Sequence, residues 1–210
     1  MDNLIILGAG PHAYEMADII RQVNVGAPTW EFLGFLVTET QAERVGTRSA
    51  CGDVVLGTYA DIARYPEAWF VPEVNCGCLE LPRERLASLI APAAFVAGTA
   101  RICRGSVIYP NCFIGHNAVL GERSFVLSGG VINHDGYLED DVTVCSGVTL
   151  AGFVHVETGC YLGQACTIKQ YLRIGRGSLV GMGSVVIHTV PPNSVMVGNP
   201  ARRLRDRRDG

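Results

Sequence analysis

From Ile90 onward every sixth residue is Ile, Leu or Val, and the series runs without insertion from Ile90, Val96, Ile102 and Ile108 to Ile174, Val180 and Val186, seventeen positions in all. The residue four places after each is mostly small, as in Ala94, Ala100, Ser106, Cys112, Ala118 and Ser124. A period of six fits neither a 3.6-residue helix nor a simple alternating strand. It fits short strands joined by tight corners, each spending one hexapeptide, with three faces closing a triangular coil. The aliphatic residue then points into the prism, the small residue sits where a corner leaves little room, and successive coils pair as parallel strands roughly 4.8 Å apart. Seventeen hexapeptides make between five and six coils. The prism is expected over residues 85–190. A closing segment with an Arg-rich tail follows over 191–210, because Pro191 and Pro192 cannot continue a hydrogen-bonded ladder.

Coil geometry converts sequence positions into columns, since residues three hexapeptides apart stack on one corner. His116, His134, Gly152 and Gln170 form one column, and Ser146, Gln164 and Met182 form another. His134 stands two places past the interior residue Ile132, so it belongs to a corner and need not enter the aliphatic interior. Its neighbour in the chain is Asp135. An imidazole beside a carboxylate on an accessible corner suits a general base better than it suits packing. His116 and His155 are expected as surface corner residues.

Residues 1–84 read differently. "LIILGAGPHAYEMADIIRQ" is a buried strand over Leu4–Leu7, a glycine turn, and a helix with apolar positions at Ala13, Met16, Ala17 and Ile20. A glycine-rich turn into a helix N-terminus is a good anion site, because free N–H groups and the helix dipole point at the ligand. "WEFLGFLV" gives a second strand, "DVVLGTYADIARY" a short strand into a helix, and "AWFVPEV" a further strand. This is a small Rossmann-like α/β domain. It is too short for a full dinucleotide site, which argues against nicotinamide chemistry and for one nucleotide or sugar ligand. The fold class expected for the whole chain is therefore mainly β, with a small α/β domain ahead of a parallel β-helix.

Composition excludes several functions. The formal charge is −3 with a pI near 5.9, and no basic stripe interleaved with aromatics precedes the tail, so nucleic acid is not an expected partner. No apolar run is long enough for a membrane span, and Met1-Asp2-Asn3 is not the charged start of a signal peptide. A soluble cytoplasmic protein is expected. Of eight cysteines, Cys76 and Cys78 form C-x-C and the others are scattered singly, without zinc or redox spacing. They are expected to be small buried thiols. The Arg-rich tail is expected as a solvated end rather than a clamp for phosphates.

A short "GAGPHA" module followed by an uninterrupted hexapeptide prism resembles the sugar acetyltransferases that act on nucleotide-linked 4-amino-sugars of the bacillosamine and perosamine type, and the related sialic acid O-acetyltransferases. The resemblance extends over nearly the whole chain. Its most specific pieces are Gly8-Ala9-Gly10 with His12, "VINHD" around His134-Asp135, "TLAG" ending at Gly152, and "VGNPARRL" from Val197. It implies a left-handed winding for the β-helix and a homotrimer with active sites between subunits. It implies that His134 accepts a proton, that Asp135 raises its basicity, and that Gly10, Pro11 and His12 meet the sugar. It further implies that Thr143, Gly152, Gln164 and Met182 meet acetyl-coenzyme A, with no metal. It leaves open whether nitrogen or oxygen is acetylated.

The chemistry holds without the family. Acetyl transfer from a thioester to an amine needs a base for the amine proton and donors for the oxyanion. Imidazole, with a reference pKa of about 6.5, can serve as the base. Asp135 can hold the Nδ1 proton and leave Nε2 free as acceptor, and Gly152 has no side chain to shield its N–H. Cys145 lacks a histidine at a matching column position, so a covalent route is not favoured. Two other classes are a zinc-dependent γ-type carbonic anhydrase, which shares the prism but needs three histidines, two of them five residues apart, and a non-catalytic sugar-nucleotide scaffold.

Overall fold

The structure is a computed structural model that describes residues 1–74 and 83–207; Cys76, Cys78 and Arg208 lie outside them. The chain divides into two compact units, Met1–Pro92 and Ala93–Gly210.

In the first unit β1 (Asp2–Leu7) leads into α1 (Pro11–Gly26), then β2 (Trp30–Val37), β3 (Val55–Thr58) and β4 (Trp69–Pro72). The four strands form one parallel sheet in the order β3-β2-β1-β4. The central strand is covered on both faces, so Leu4, Ile5, Ile6 and Leu7 are all buried, as a continuous apolar run requires. Ala13, Met16, Ala17 and Ile20 of α1 are fully buried, following the i, i+3, i+4, i+7 spacing of one helical face. Pro11 opens the helix at a position where its missing N–H costs nothing. The helix expected after β3 is a six-residue 3₁₀ segment, Tyr59–Arg64. Asp61 accepts the Thr58 N–H at 2.9 Å and fixes its start, but six residues offer too few turns for an α-helix to propagate.

The second unit is a β-solenoid of two-residue strands in three parallel sheets. Each strand ends on the aliphatic residue of its hexapeptide, and partners are offset by three hexapeptides: Val119 pairs with Tyr137, Thr149 with Thr167, Tyr161 with Leu179. The column residues from Ile108 to Val180 are 0% exposed and Val186 is 1%. Each contributes about 1.5–3 kcal/mol of apolar burial. The small positions are equally dry. Ser106 and Ser124 are 0% exposed, and both hydroxyls donate to the Gly121 carbonyl, at 3.0 and 2.9 Å. Corners turn on a residue with positive φ, such as Asn111 at 61°, Asp135 at 56° and Phe153 at 59°.

The prolines do not end the ladder. After Pro191 and Pro192 it resumes at Ser194–Val197, which pairs with Leu179–Val180, and Arg202–Asp206 returns antiparallel along it. A proline deletes only its own N–H, and neither proline lies within the pairing residues. The tail is thus an exposed edge strand. Arg207 just beyond it donates to the carbonyls of Gly159, Gly177 and Ser178 at 3.2–3.3 Å.

Cys112, Cys145, Cys160 and Cys166 are buried thiols, Cys103 is half-buried, and Cys51 is exposed. No helix among the described residues is long and apolar enough to cross a membrane.

Candidate active site

His134 follows the strand Val131–Ile132 on the corner that leads to Tyr137–Leu138. The backbone ladder along this corner is direct. Asp135 donates its N–H to the His116 carbonyl at 2.8 Å, Phe153 to the His134 carbonyl and Tyr171 to the Gly152 carbonyl, each at 3.2 Å. The column His116, His134, Gly152, Gln170 therefore exists as the repeat requires.

The left-handed turn at Asp135 swings its side chain back onto the preceding residue. Asp135 Oδ2 lies 2.9 Å from His134 Nδ1, and the Asn117 amide donates to Oδ1 at 3.3 Å from one coil earlier. The hydrogen bond from His134, then that from Asn117, holds the Asp135 carboxyl below the usual carboxylate range. An ionised carboxylate only accepts, so the imidazole proton sits on Nδ1 and leaves Nε2 with a free lone pair. The His134 side chain is 57% exposed, accessible to an incoming ligand.

The ring rests over Gly152. A Cβ built there would lie 2.7 Å from Nε2 and 2.5 Å from Cε1, so glycine at 152 makes room for the imidazole itself. Gly152 is buried, and its N–H has no protein acceptor among the described residues. Phe153 meets the His134 ring edge to face, with centroids 5.3 Å apart, and stacks on Tyr171 at 5.0 Å. His134, Gly152, Phe153, Gln170 and Tyr171 line an open depression of about 240 Å³.

The structure brings His134, Asp135 and Gly152 together. Gln164 and Met182 share a different corner, the one between the Tyr161–Leu162 and Thr167–Ile168 strands, where Gly183 N–H bonds the Gln164 carbonyl at 2.8 Å. Met182 is 76% exposed there. Thr143 is buried in a face, on a strand paired with Phe125 and Tyr161. Gly10, Pro11 and His12 start α1 in the first unit, with His12 Nδ1 3.2 Å from Glu15. His116 is a corner residue bonded to Thr99 at 2.8 Å. His155 is not. It begins a strand and faces Glu139 at 2.8 Å, because it is the residue immediately before the interior Val156.

Sequence reasoning missed two partners. Asn117 lies three hexapeptides before Asp135, and the column rule finds it. Glu73 accepts hydrogen bonds from the Gly10 and Ala13 amides, and only the strand order reveals it.

The hexapeptide solenoid defines the class: this is a hexapeptide-repeat protein with the fold of the sugar acetyltransferases. Three solved structures are among those it resembles. GDP-perosamine N-acetyltransferase from Caulobacter crescentus, a histidine-to-alanine variant solved with CoA and GDP-perosamine, superimposes with a TM-score of 0.87 at 22% identity, over 98% of each chain. The acetyltransferase domain of PglB from Neisseria gonorrhoeae gives 0.82 at 22% identity, over 97% of this chain and 100% of that one. WeeI from Acinetobacter baumannii gives 0.77 at 25%, over 96% and 99%. At these identities the likeness speaks for the fold. No family model matches the chain. Over 59 residues it is 37% identical to a Staphylococcus aureus (strain COL) protein described as a candidate acetyltransferase, covering 28% of this chain and 30% of the relative. Over 67 residues it is 39% identical to serine acetyltransferase 2 of Arabidopsis thaliana, covering 28% of this chain and 21% of the relative. The chain thus matches about 30% or less of the length of these curated relatives.

Proposed function

We propose that the chain is an acetyl-coenzyme A-dependent acetyltransferase acting on a sugar amine, with His134 as general base and Asp135 as the group that orients it. The observation that carries this reading is the His134 imidazole, held by Asp135 at 2.9 Å and seated over Gly152. The perosamine enzyme named above, solved with its coenzyme and an amino-sugar nucleotide, supports the class of reaction.

Bound acetyl-coenzyme A would be the acyl donor, its thioester carbonyl carbon receiving the amine's electron pair. His134 Nε2 takes the proton that the amine loses as the C–N bond forms, and returns it to the departing sulfur. Asp135 stabilises the positive imidazolium between those two events. The Gly152 N–H, buried and without a protein acceptor, suits the developing oxyanion. The exposed edge of Gln164 and Met182 runs along the solenoid axis and suits an extended pantetheine arm, and Thr143 borders the same strand set. In this reading the first unit is a Rossmann-like module whose Gly10, Pro11 and His12 meet the sugar, and the solenoid winds left-handed.

An edge gives only one wall of a site, and the resemblance to the sugar acetyltransferases implies that a neighbouring subunit supplies the other, in a C3 homotrimer. Light scattering should return three times 22.5 kDa; the monomer mass would refute the assembly. The reaction is tested by thiol release from acetyl-coenzyme A with a panel of amino-sugars. Acceptor-dependent release is expected. No coenzyme binding and no release with any sugar would leave a sugar-binding scaffold instead.

A further inference from the structure

The G-x-G-x-x-A turn ahead of α1 has the form of an anion site, yet the structure fills it from within. Strand order sets β4 beside β1, and Glu73, the residue after β4, donates its N–H to the Leu7 carbonyl at 2.8 Å. Its carboxylate thereby arrives at the turn that starts the helix. Oε2 accepts the Gly10 N–H at 3.2 Å and Oε1 the Ala13 N–H at 3.3 Å. Gly10 has no side chain to cap the helix and the first turn carries no acidic residue, so Glu73 supplies both the missing acceptor and the negative charge that the dipole favours. The glycines serve the same arrangement. A Cβ on Gly10 would stand 2.6 Å from Glu73 Oε1, and one on Gly8 would run into the same carboxylate.

A phosphate seeking these amides would have to displace a carboxylate already bonded to them and would meet its like charge while doing so. Each Glu73 oxygen retains a lone pair beyond its amide bond, which suits hydroxyl or ammonium donors. We infer that Glu73 is a specificity-determining residue: it takes a phosphate's place at α1, so the accepted sugar meets this turn through hydroxyl or ammonium donors to Glu73 and not through a phosphate. The inference rests on the proposed acetyl transfer only in calling that sugar the acceptor.

The test is calorimetric titration of the full chain, without coenzyme, with inorganic pyrophosphate, UDP and GDP. Wild type is compared with Glu73→Ala and with the nearly isosteric Glu73→Gln, whose fold is checked by thermal melting. Wild type, followed by amide NMR in the same titration, should show no shift of the Gly10 and Ala13 resonances at millimolar ligand. Glu73→Ala should bind pyrophosphate at least tenfold more tightly than wild type, with the Gly10 and Ala13 amide resonances shifting. Glu73→Gln should fall between them, and it carries the test if the alanine variant does not fold. Saturable binding of UDP or GDP to wild type that shifts those two amides, or folded variants that bind no better than wild type, would overturn the inference. Failure of the acetyl-transfer reading would register separately, as absent thiol release and absent acetyl-coenzyme A binding.

Discussion

The His134 imidazole occupies the space that a side chain at Gly152 would need: a methyl group there would stand 2.5 Å from Cε1. The φ angle of Gly152 is not in the left-handed region, so alanine suits the backbone and only the ring must move. Gly152→Ala should therefore leave the melting temperature nearly unchanged while pushing the base off its position. A displacement of about 1 Å at a reacting group costs roughly 10²-fold in rate. Steady-state turnover beside a thermal melt checks both halves, and turnover within about threefold of wild type would mean that the ring position does not matter.

Asp135 gives a pH prediction with a defined sign. Its carboxyl is held below the ordinary value of 3.8 by the hydrogen bond to His134 first and to Asn117 second. Because the folded value is depressed, the contribution is present above the ordinary range and is lost as pH falls through the depressed midpoint. Carbon-detected NMR of the Asp135 side chain should place that midpoint under 3.8. It should rise toward the ordinary value in His134→Ala, and by less in Asn117→Ala. An unmoved midpoint in both variants would contradict the pairing.

How much was legible in the sequence follows from what fixes each element. The interior column from Ile108 to Val186 is set by a local period, and any slip would turn an aliphatic residue into solvent, so spacing alone locates every coil and puts His134 on a corner. The same rule brings Asn117 and Gly152 to that corner. Glu73 is different. It reaches Gly10 across 63 residues of chain, and nothing local says that β4 lies beside β1 rather than beside β3. The ladder past Pro191 and Pro192 was hidden for a related reason: proline marks where a donor is missing, and says nothing of where pairing resumes. His155, expected on a corner, stands one place before the interior Val156, a position that the same period assigns to a strand.

Interior positions should dominate stability. Leu150 is 0% exposed and paired through its strand with both Ile132 and Ile168. Leu150→Ala should cost about 2–5 kcal/mol, the range for truncating a packed core leucine. A substitution of exposed Tyr171 should stay within about 0.5 kcal/mol. Urea unfolding of the two variants provides the comparison; equal losses would refute a dry, close-packed prism.

The buried thiols should be inert. Burial raises the Cys160 thiol to about 11 and the Cys166 thiol to about 12, so almost no thiolate is present at neutral pH. Exposed Cys51 should label rapidly with iodoacetamide at pH 8, whereas Cys160 and Cys166 should label only on unfolding. Peptide mass spectrometry against time distinguishes them. Rapid labelling of Cys160 or Cys166 in the folded protein would reopen the case for a cysteine nucleophile.

The central claim is that His134 is the base, and its direct test is His134→Ala against wild type, with acetyl-coenzyme A and the best amino-sugar acceptor both at saturation. The side chain is 57% exposed and carries little packing, so the variant should keep its fold and bind coenzyme as wild type does. Its turnover should fall by roughly 10²–10⁴-fold, the loss that follows removal of a general base. Turnover within about threefold of wild type would show instead that His134 is only a corner residue, and the proton acceptor would have to be sought elsewhere, starting with His12.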